Sequence, residues 1–273
     1  MLLFDKESIF FDKALVGTQL SGGLSNKTYS FQYDGQQFLY KKLEDPLYGY
    51  HNRRREKILW QLAANANLTP DIIEWSTKAG YVVMPYLTGW QPTAEPTKLE
   101  WSSLLKQLHQ IELPNNIPDF SPSATIEHHL NRLALSEKAR TMQEIYEKIK
   151  SKDLTPGPRV ICHLDLFQSN ILISPKGELQ LIDWEYSAPA PYYCDIAHFI
   201  THIESGWKSC KTITKKLYPH CWERALADIN SYLPTAYLFW TIWCIIQERR
   251  TNHNQFNQYY KHYLKGCRAT VER

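Results

Sequence analysis

The sequence predicts an α+β chain, a small β-rich N-terminal part followed by a larger, mainly helical part. Three observations carry this. Alternating apolar residues around an Asp-Gly turn occupy the first third of the chain. From Trp101 onward, apolar residues recur at three- and four-residue steps. Between Asn170 and Asp183 the helical pattern gives way to a short apolar hairpin.

In order along the chain, Tyr29 to Tyr33 alternates, Asp34-Gly35 turns, and Gln37 to Leu43 returns as the second strand. Arg53 to Ala64 reads as a helix, with Ile58, Leu59 and Leu62 at helical spacing. Ile72 to Trp75 and Tyr81 to Tyr86 read as paired strands around Lys78-Ala79-Gly80. Leu104, Leu105, Leu108 and Ile111 share one helix face, and Ile126 to Lys150 continues in helical period. Proline-rich connectors lie at Pro114 to Pro122 and Pro156 to Pro158. Ile171 to Ile173 and Leu179 to Ile182 are strands joined by a Ser174-Pro175-Lys176-Gly177 turn, and Asp195 is a candidate N-cap for a helix through Ile203.

The chemistry-bearing stretch runs from Ile161 to Tyr186. His163-Leu164-Asp165 is followed by Asn170 five residues after the aspartate, and Asp183 comes thirteen residues after the asparagine. This interval suits phosphoryl transfer: one aspartate accepts the substrate hydroxyl proton, while the asparagine and second aspartate hold Mg²⁺ against the nucleotide phosphates. Asn170 opens one strand of the hairpin and Asp183 closes the other, so both oxygens fall at the same end. Taken singly, loop Asp and Asn residues are turn formers; the joint pattern is far rarer.

A nucleotide half can be read upstream. Gly22-Gly23-Leu24-Ser25-Asn26 precedes the first strand, where Gly22 and Gly23 allow close backbone approach to phosphate and Ser25 and Asn26 can donate; the alternative is a plain turn. Strand period places Leu39 and Lys41 on one face, with Lys41 reaching the α/β-phosphates, Glu56 as its ion-pair partner and Lys42 as its competitor on the other face. Val82 to Leu87, including Met84 and Tyr86, is the expected linker whose backbone bonds the adenine edge.

At 273 residues, the chain can form one large domain or two lobes. The net charge is +3 without a long basic block, and the cluster from His51 to Lys57 is read as a solvated helix face rather than a nucleic-acid patch. The cysteines lack zinc-ligand spacing, no signal peptide is apparent, and the apolar run from Ala236 to Ile246 is too short for a bilayer span. These readings favour a reduced cytoplasmic enzyme. Thirteen per cent aromatic content suggests ring-walled pockets or a large core.

The chain resembles the choline/ethanolamine kinase group of the aminoglycoside-phosphotransferase-like kinases. The resemblance rests on Gly22 to Asn26, Glu56, His163 to Asn170, Ile182 to Ser187, Asp195-Ile196-Ala197 and Leu238 to Gln247. It implies a bilobal protein-kinase-like fold with an N-terminal lobe over 1–84, a hinge over 85–89 and a C-terminal lobe over 90–273, the active site lying in the cleft. It further implies ATP and Mg²⁺ as cofactors and a small amino alcohol, choline or ethanolamine, as the acceptor converted to its phosphomonoester, with Asp165 as base, Asn170 and Asp183 as metal ligands, and Asp195 tying the catalytic loop to the large lobe. Trp240 and Trp243 share a helix face with Tyr237 and Gln247, and with Tyr186 they would form an aromatic cage for a quaternary ammonium; the alternative is an aromatic core. Glu185 is a secondary candidate for the acceptor or the loop. Where the resemblance leads one to expect a glutamate, seven residues after Asp195, the chain has His202, with Glu204 two further on; Phe167 stands two residues after the base where a polar side chain is expected. Thiamine and aminoglycosides are the alternative acceptors, and a cation-binding pseudokinase is the alternative of another class.

Overall fold

The computed structural model describes residues 10, 13–14, 16–20, 27–43, 52–93, 101–133, 136–150, 157–251 and 253–272. In chain order it gives β1 (Thr18–Gln19), β2 (Lys27–Tyr33), β3 (Gln36–Lys42), α1 (Arg53–Asn65), β4 (Glu74–Ser76), β5 (Tyr81–Pro85) and β6 (Gln91–Pro92). Helices α2 (Ser102–Gln110), α3 (Pro122–Leu130) and α4 (Glu137–Ile149) follow. Strands β7 (Arg159–Cys162), β8 (Ile171–Ile173), β9 (Leu179–Leu181) and β10 (Ala188–Pro191) then precede α5 (Tyr193–His202), α6 (Gly206–Leu217), α7 (Trp222–Thr251) and α8 (Gln255–Val271). The α+β class expected from the sequence is met, with a β-sheet N-terminal region and a helical C-terminal part.

The chain divides into two compact units, one of residues 1–93 with 169–187 and the other of 94–168 with 188–273. The expected hinge over 85–89 falls inside the first unit, and the 169–187 segment, expected in the C-terminal lobe, makes its contacts there as well.

In the first unit the sheet order is β1-β2-β3-β5-β4, with each neighbouring pair antiparallel. Asp34 and Gly35 both take positive φ, 48° and 71°, the two-residue turn whose twist matches a hairpin. Strand alternation sends Phe38 and Tyr40 into a core with Phe31, Tyr81 and Val83, leaving Lys41 on the opposite face. Helix α1 begins at Asn52, whose side chain accepts the Arg55 amide at 3.0 Å. The hairpin β8–β9 pairs with β6 and is fixed to the rest of the unit through Leu68 and Thr69, the Leu181 amide donating to the Leu68 carbonyl and the Thr69 hydroxyl to the Leu181 carbonyl.

In the second unit β7 pairs antiparallel with β10, and helices α2 to α8 pack around a core that includes Trp101, Phe199, Tyr232 and Tyr237. The helical stretch expected over 126–150 is two helices rather than one. Ser136 caps the second by accepting the Ala139 amide, which restarts the helix after a turn. Among the described residues no helix is long and apolar enough to cross a membrane. Cys162, Cys194, Cys210, Cys244 and Cys267 are buried and unbridged, and Cys221 is exposed and unbridged.

Helices α7 and α8 meet closely at Gly266, where a Cβ would overlap Cε1 of the fully buried Tyr237 ring. Gly266→Ala is therefore expected to destabilise the protein by about 2–3 kcal/mol, the overpacking exceeding the helix-propensity gain of about 1 kcal/mol. A urea-unfolding midpoint equal to or above that of the wild type would contradict the close packing.

Candidate active site

In the first unit the chemistry gathers at the open end of the β8–β9 hairpin. Asn170 ends a short 3₁₀ turn and enters β8, while Asp183 follows β9, and the Ile182 amide donates to the Asn170 carbonyl at 3.0 Å, closing that end. At the other end the Gly177 amide bonds the Ser174 carbonyl, and Gly177 takes φ 85°, as a turn with a bulge requires. Asp183 takes φ 70°, a left-handed conformation that costs a non-glycine residue about 1–3 kcal/mol and concentrates at functional sites. An Asp183 carboxylate and an Asn170 amide oxygen at one hairpin end form an oxygen-only donor set, which suits a hard divalent cation.

Lys41, not Lys42, is the buried lysine of β3, and its ammonium lies 2.5 Å from Asp183 Oδ1. Burial alone would lower the Lys41 pKa; the charges of Asp183, Glu185 and Glu56 outweigh it and leave the pKa raised, so the ammonium is retained. The expected Lys41–Glu56 ion pair is corrected. Arg53, one turn before Glu56 on α1, holds that carboxylate at 2.6 Å, and Glu56 acts on Lys41 only through its charge.

The solvated-face reading of the arginine cluster is corrected with it. Arg53, Arg55 and Glu56 are buried, and Arg55 Nε donates to the Ser187 carbonyl at 2.9 Å, while Arg54 alone of the three arginines is exposed. Buried guanidinium groups need such partners. Trp184 is buried and donates its indole N–H to the Thr69 hydroxyl at 2.9 Å. Glu185 is buried and its charge acts on Lys41; Tyr186 is half-buried.

Met84 pairs with Leu39 in the sheet. Tyr86 donates its amide to the Gln37 carbonyl at 3.0 Å, so the backbone donor expected there for an adenine edge is already engaged. Gly22, Gly23, Ser25 and Asn26 lie outside the described residues.

The second unit carries Asp165 on the loop after β7. Leu164 precedes it with φ 61°, and the buried Asp195 holds this strained turn, accepting the Leu164 amide at 2.7 Å and the His163 amide at 3.2 Å. His109 Nε2, at the end of α2, lies 2.8 Å from Asp195 Oδ2. Burial alone would raise the Asp195 pKa; the hydrogen bond and charge of His109, the Leu164 amide and His163 outweigh it and hold the carboxyl below its ordinary value. Asp195 is therefore not an N-cap. Helix α5 starts at Tyr193, and the carboxylate in its first turn faces the loop that carries His163 and Leu164.

Trp240 is a nearly buried residue whose indole N–H donates to His198 Nδ1 at 2.8 Å. Indole nitrogen only donates, so His198 Nδ1 is bare and its Nε2–H faces the Tyr232 hydroxyl at 3.0 Å. Burial holds the His198 pKa down, to about 4, against the opposing charge of Asp195. On its other side Trp240 lies against His202 at 5.0 Å and Tyr263 at 6.3 Å between ring centroids, the Trp240 and Tyr263 rings being stacked; Trp243 follows at 5.6 Å. Phe167 meets His202 edge to face at 5.2 Å. His202 Nδ1 lies 3.0 Å from the Tyr263 hydroxyl, and its Nε2 is 3.6 Å from Asp165 Oδ1. Glu204 is exposed, beyond the end of α5, so it does not take the place of a carboxylate at 202. Trp240 and Trp243 thus meet as expected, while Tyr263 and His109 are functional candidates that the sequence reading missed.

A family model described as "Phosphotransferase enzyme family" matches residues 16–232. A thiamine kinase of Escherichia coli O1:K1 / APEC is 25% identical over 264 residues, covering 91% of this chain and 89% of that protein. Human choline/ethanolamine kinase is 23% identical over 190 residues, covering 52% of this chain and 48% of its own length. The chain spans about half the length of the first curated relatives it matches, 51% and 48%. Among solved structures, the choline kinase LicA from Streptococcus pneumoniae superposes with a TM-score of 0.71 at 20% identity, covering 95% of this chain and 97% of that one. The α+β fold is thus that of kinase-like phosphotransferases, and the chain belongs to the phosphotransferase enzyme family.

Proposed function

We propose that this phosphotransferase moves the γ-phosphoryl group of ATP to the hydroxyl of a small alcohol bearing a permanent organic cation, choline in the first reading and thiamine in the second. The observation that carries this is the setting of Asp165: its carboxylate lies beside a neutral histidine, His202, and against that histidine stand the rings of Phe167, Trp240 and Tyr263. Aromatic faces attract a cation through the ring quadrupole and ask for no hydrogen bonds in return. A trimethylammonium or a thiazolium meets that condition. The primary ammonium of ethanolamine and the amines of an aminoglycoside carry N–H donors that must find acceptors once water is removed, which rings do not supply. The resemblance to choline/ethanolamine kinases and to a thiamine kinase covering most of the chain supports a hydroxyethyl arm on such a cation.

In this reading Asp165 receives the hydroxyl proton as the acceptor oxygen bonds to the γ-phosphorus and the bridging oxygen leaves with ADP. Lys41 holds nucleotide phosphate, and the LicA complex with AMP supports a nucleotide site on this fold. Asn170 and Asp183 would hold Mg²⁺, which when bound neutralises phosphate charge. Glu185 reinforces Lys41, Trp243 extends the aromatic wall beside Trp240, and residues 1–93 with the 169–187 hairpin form the nucleotide-binding lobe. The simultaneous presence of Lys41, Asp165, Asn170 and Asp183 argues against a pseudokinase.

A panel of choline, thiamine, ethanolamine and an aminoglycoside with Mg²⁺-ATP tests the acceptor. The better of choline and thiamine is expected to exceed ethanolamine about ten-fold in kcat/KM. Ethanolamine or the aminoglycoside performing as well would overturn the acceptor class, and no turnover of any of the four would overturn the enzyme reading.

A further inference from the structure

We propose that His202 is a specificity-determining residue whose Nε2–H donates to the acceptor hydroxyl oxygen while Asp165 takes that hydroxyl's proton. The inference rests on the phosphotransfer reading above and assigns His202 a contact with the reacting group.

Two observations and one geometric consequence carry it. Among the described residues His202 Nε2 is buried without a hydrogen-bond partner, and a buried polar atom left in that state is costly unless something supplies the partner. Its distance of 3.6 Å from Asp165 Oδ1 is too long for a hydrogen bond between the two. An acceptor oxygen set to one side of the line between the two atoms would lie about 2.8 Å from each, the ordinary hydrogen-bond distance, and so bridge them.

The protonation state follows from the neighbours. Burial above all, with the neighbouring imidazoles of His198 and His262 opposing a further positive charge, holds the imidazole neutral. Burial likewise keeps Tyr263 a hydroxyl, available to donate to Nδ1 at 3.0 Å. Were Nδ1 protonated instead, the bare Nε2 lone pair would face the Asp165 carboxylate and be repelled. The tautomer with hydrogen on Nε2 is the one that both neighbours favour.

Such a pair reads a group that donates and accepts at once. A hydroxyl gives its proton to Asp165 and takes a hydrogen bond from His202. An ammonium, which the carboxylate alone would attract, has no lone pair for the Nε2–H. His202 therefore selects which end of a cationic alcohol meets Asp165, a task separate from the attraction exerted by the rings.

The test compares His202→Phe, which keeps a ring against Trp240 and Phe167 but loses the donor, with His202→Gln, whose amide N–H reaches a similar position. With the wild type's best acceptor, His202→Phe is expected to lower kcat/KM about ten-fold, His202→Gln to recover at least half of that loss on a logarithmic scale, and KM for ATP to move less than two-fold. Tyr263→Phe leaves His202 in place but releases the tautomer, and is expected to lower kcat/KM about three-fold; it carries the test should a His202 variant fail to fold. Wild-type efficiency in His202→Phe or in Tyr263→Phe, equal losses in the Phe and Gln variants, or a parallel rise in KM for ATP would each overturn the inference while leaving phosphotransfer standing. Wild-type protein that phosphorylates none of the panel would overturn both.

Discussion

Asp165→Asn is expected to lower kcat about a thousand-fold or more while leaving the melting temperature within a few degrees of wild type. The substitution keeps volume and shape and removes only the carboxylate proposed to receive the hydroxyl proton. Its effect should be catalytic because the loop is tied through other groups: Asp195 accepts the amides of His163 and Leu164, and β7 is paired with β10. Steady-state kinetics with saturating Mg²⁺-ATP and acceptor, together with thermal unfolding, check this. A variant retaining near-normal kcat would show that the proton goes elsewhere and that Asp165 is misassigned.

Asp195→Ala is expected to do the reverse, acting on stability first and on activity as a consequence. The carboxylate is fully buried and satisfies two loop amides and His109, so its removal leaves buried donors unpaired beside a strained Leu164. Removing a buried carboxylate that satisfies two amides and a histidine costs about 3–5 kcal/mol, and urea unfolding should show a loss of that size together with a large fall in kcat. The same network gives a pH dependence. The Asp195 pKa is depressed from its ordinary 3.8, so its stabilising contribution is present above that value and is lost as pH falls further, through the folded-state pKa. In Asp195→Ala this acid-side component should be missing. Wild-type stability in the variant would contradict the role assigned to Asp195.

The parts of the molecule legible in the sequence were those whose signals are local. Asp34-Gly35 between alternating strands and Ser174 to Gly177 between two apolar triplets state their hairpins within a few residues, and the second places Asn170 and Asp183 at one end without knowledge of the rest of the chain. The spacing of Trp240 and Trp243 likewise foretold a shared face. What was not legible depends on partners far apart in sequence. Lys41 meets Asp183 across a separation of 142 residues, and the expected Glu56 is claimed by Arg53 only three residues away, an i,i+3 pair that sequence alone does not distinguish from a solvated face.

His109 and Asp195 are separated by 86 residues, and Tyr263 and His202 by 61. Neither His109 nor Tyr263 stands in a motif that marks it. The run of tyrosines at 259, 260 and 263 on an amphipathic helix was the available hint, though periodicity shows only that one face turns inward, not what it meets. His202 was visible as a departure from the resemblance. That it is neutral, buried and directed at Asp165 became apparent only once α5, α7 and α8 were packed.

The central claim, that an alcohol oxygen held by Asp165 attacks the γ-phosphorus of ATP, is tested most directly by following the oxygen itself. The wild-type protein would be incubated with Mg²⁺-ATP and either choline or thiamine labelled with oxygen-18 in the hydroxyl, and the products read by mass spectrometry. The account predicts one phosphomonoester per ADP, with the label in the ester bridge; ADP accompanied by inorganic phosphate and no ester of either alcohol would contradict it.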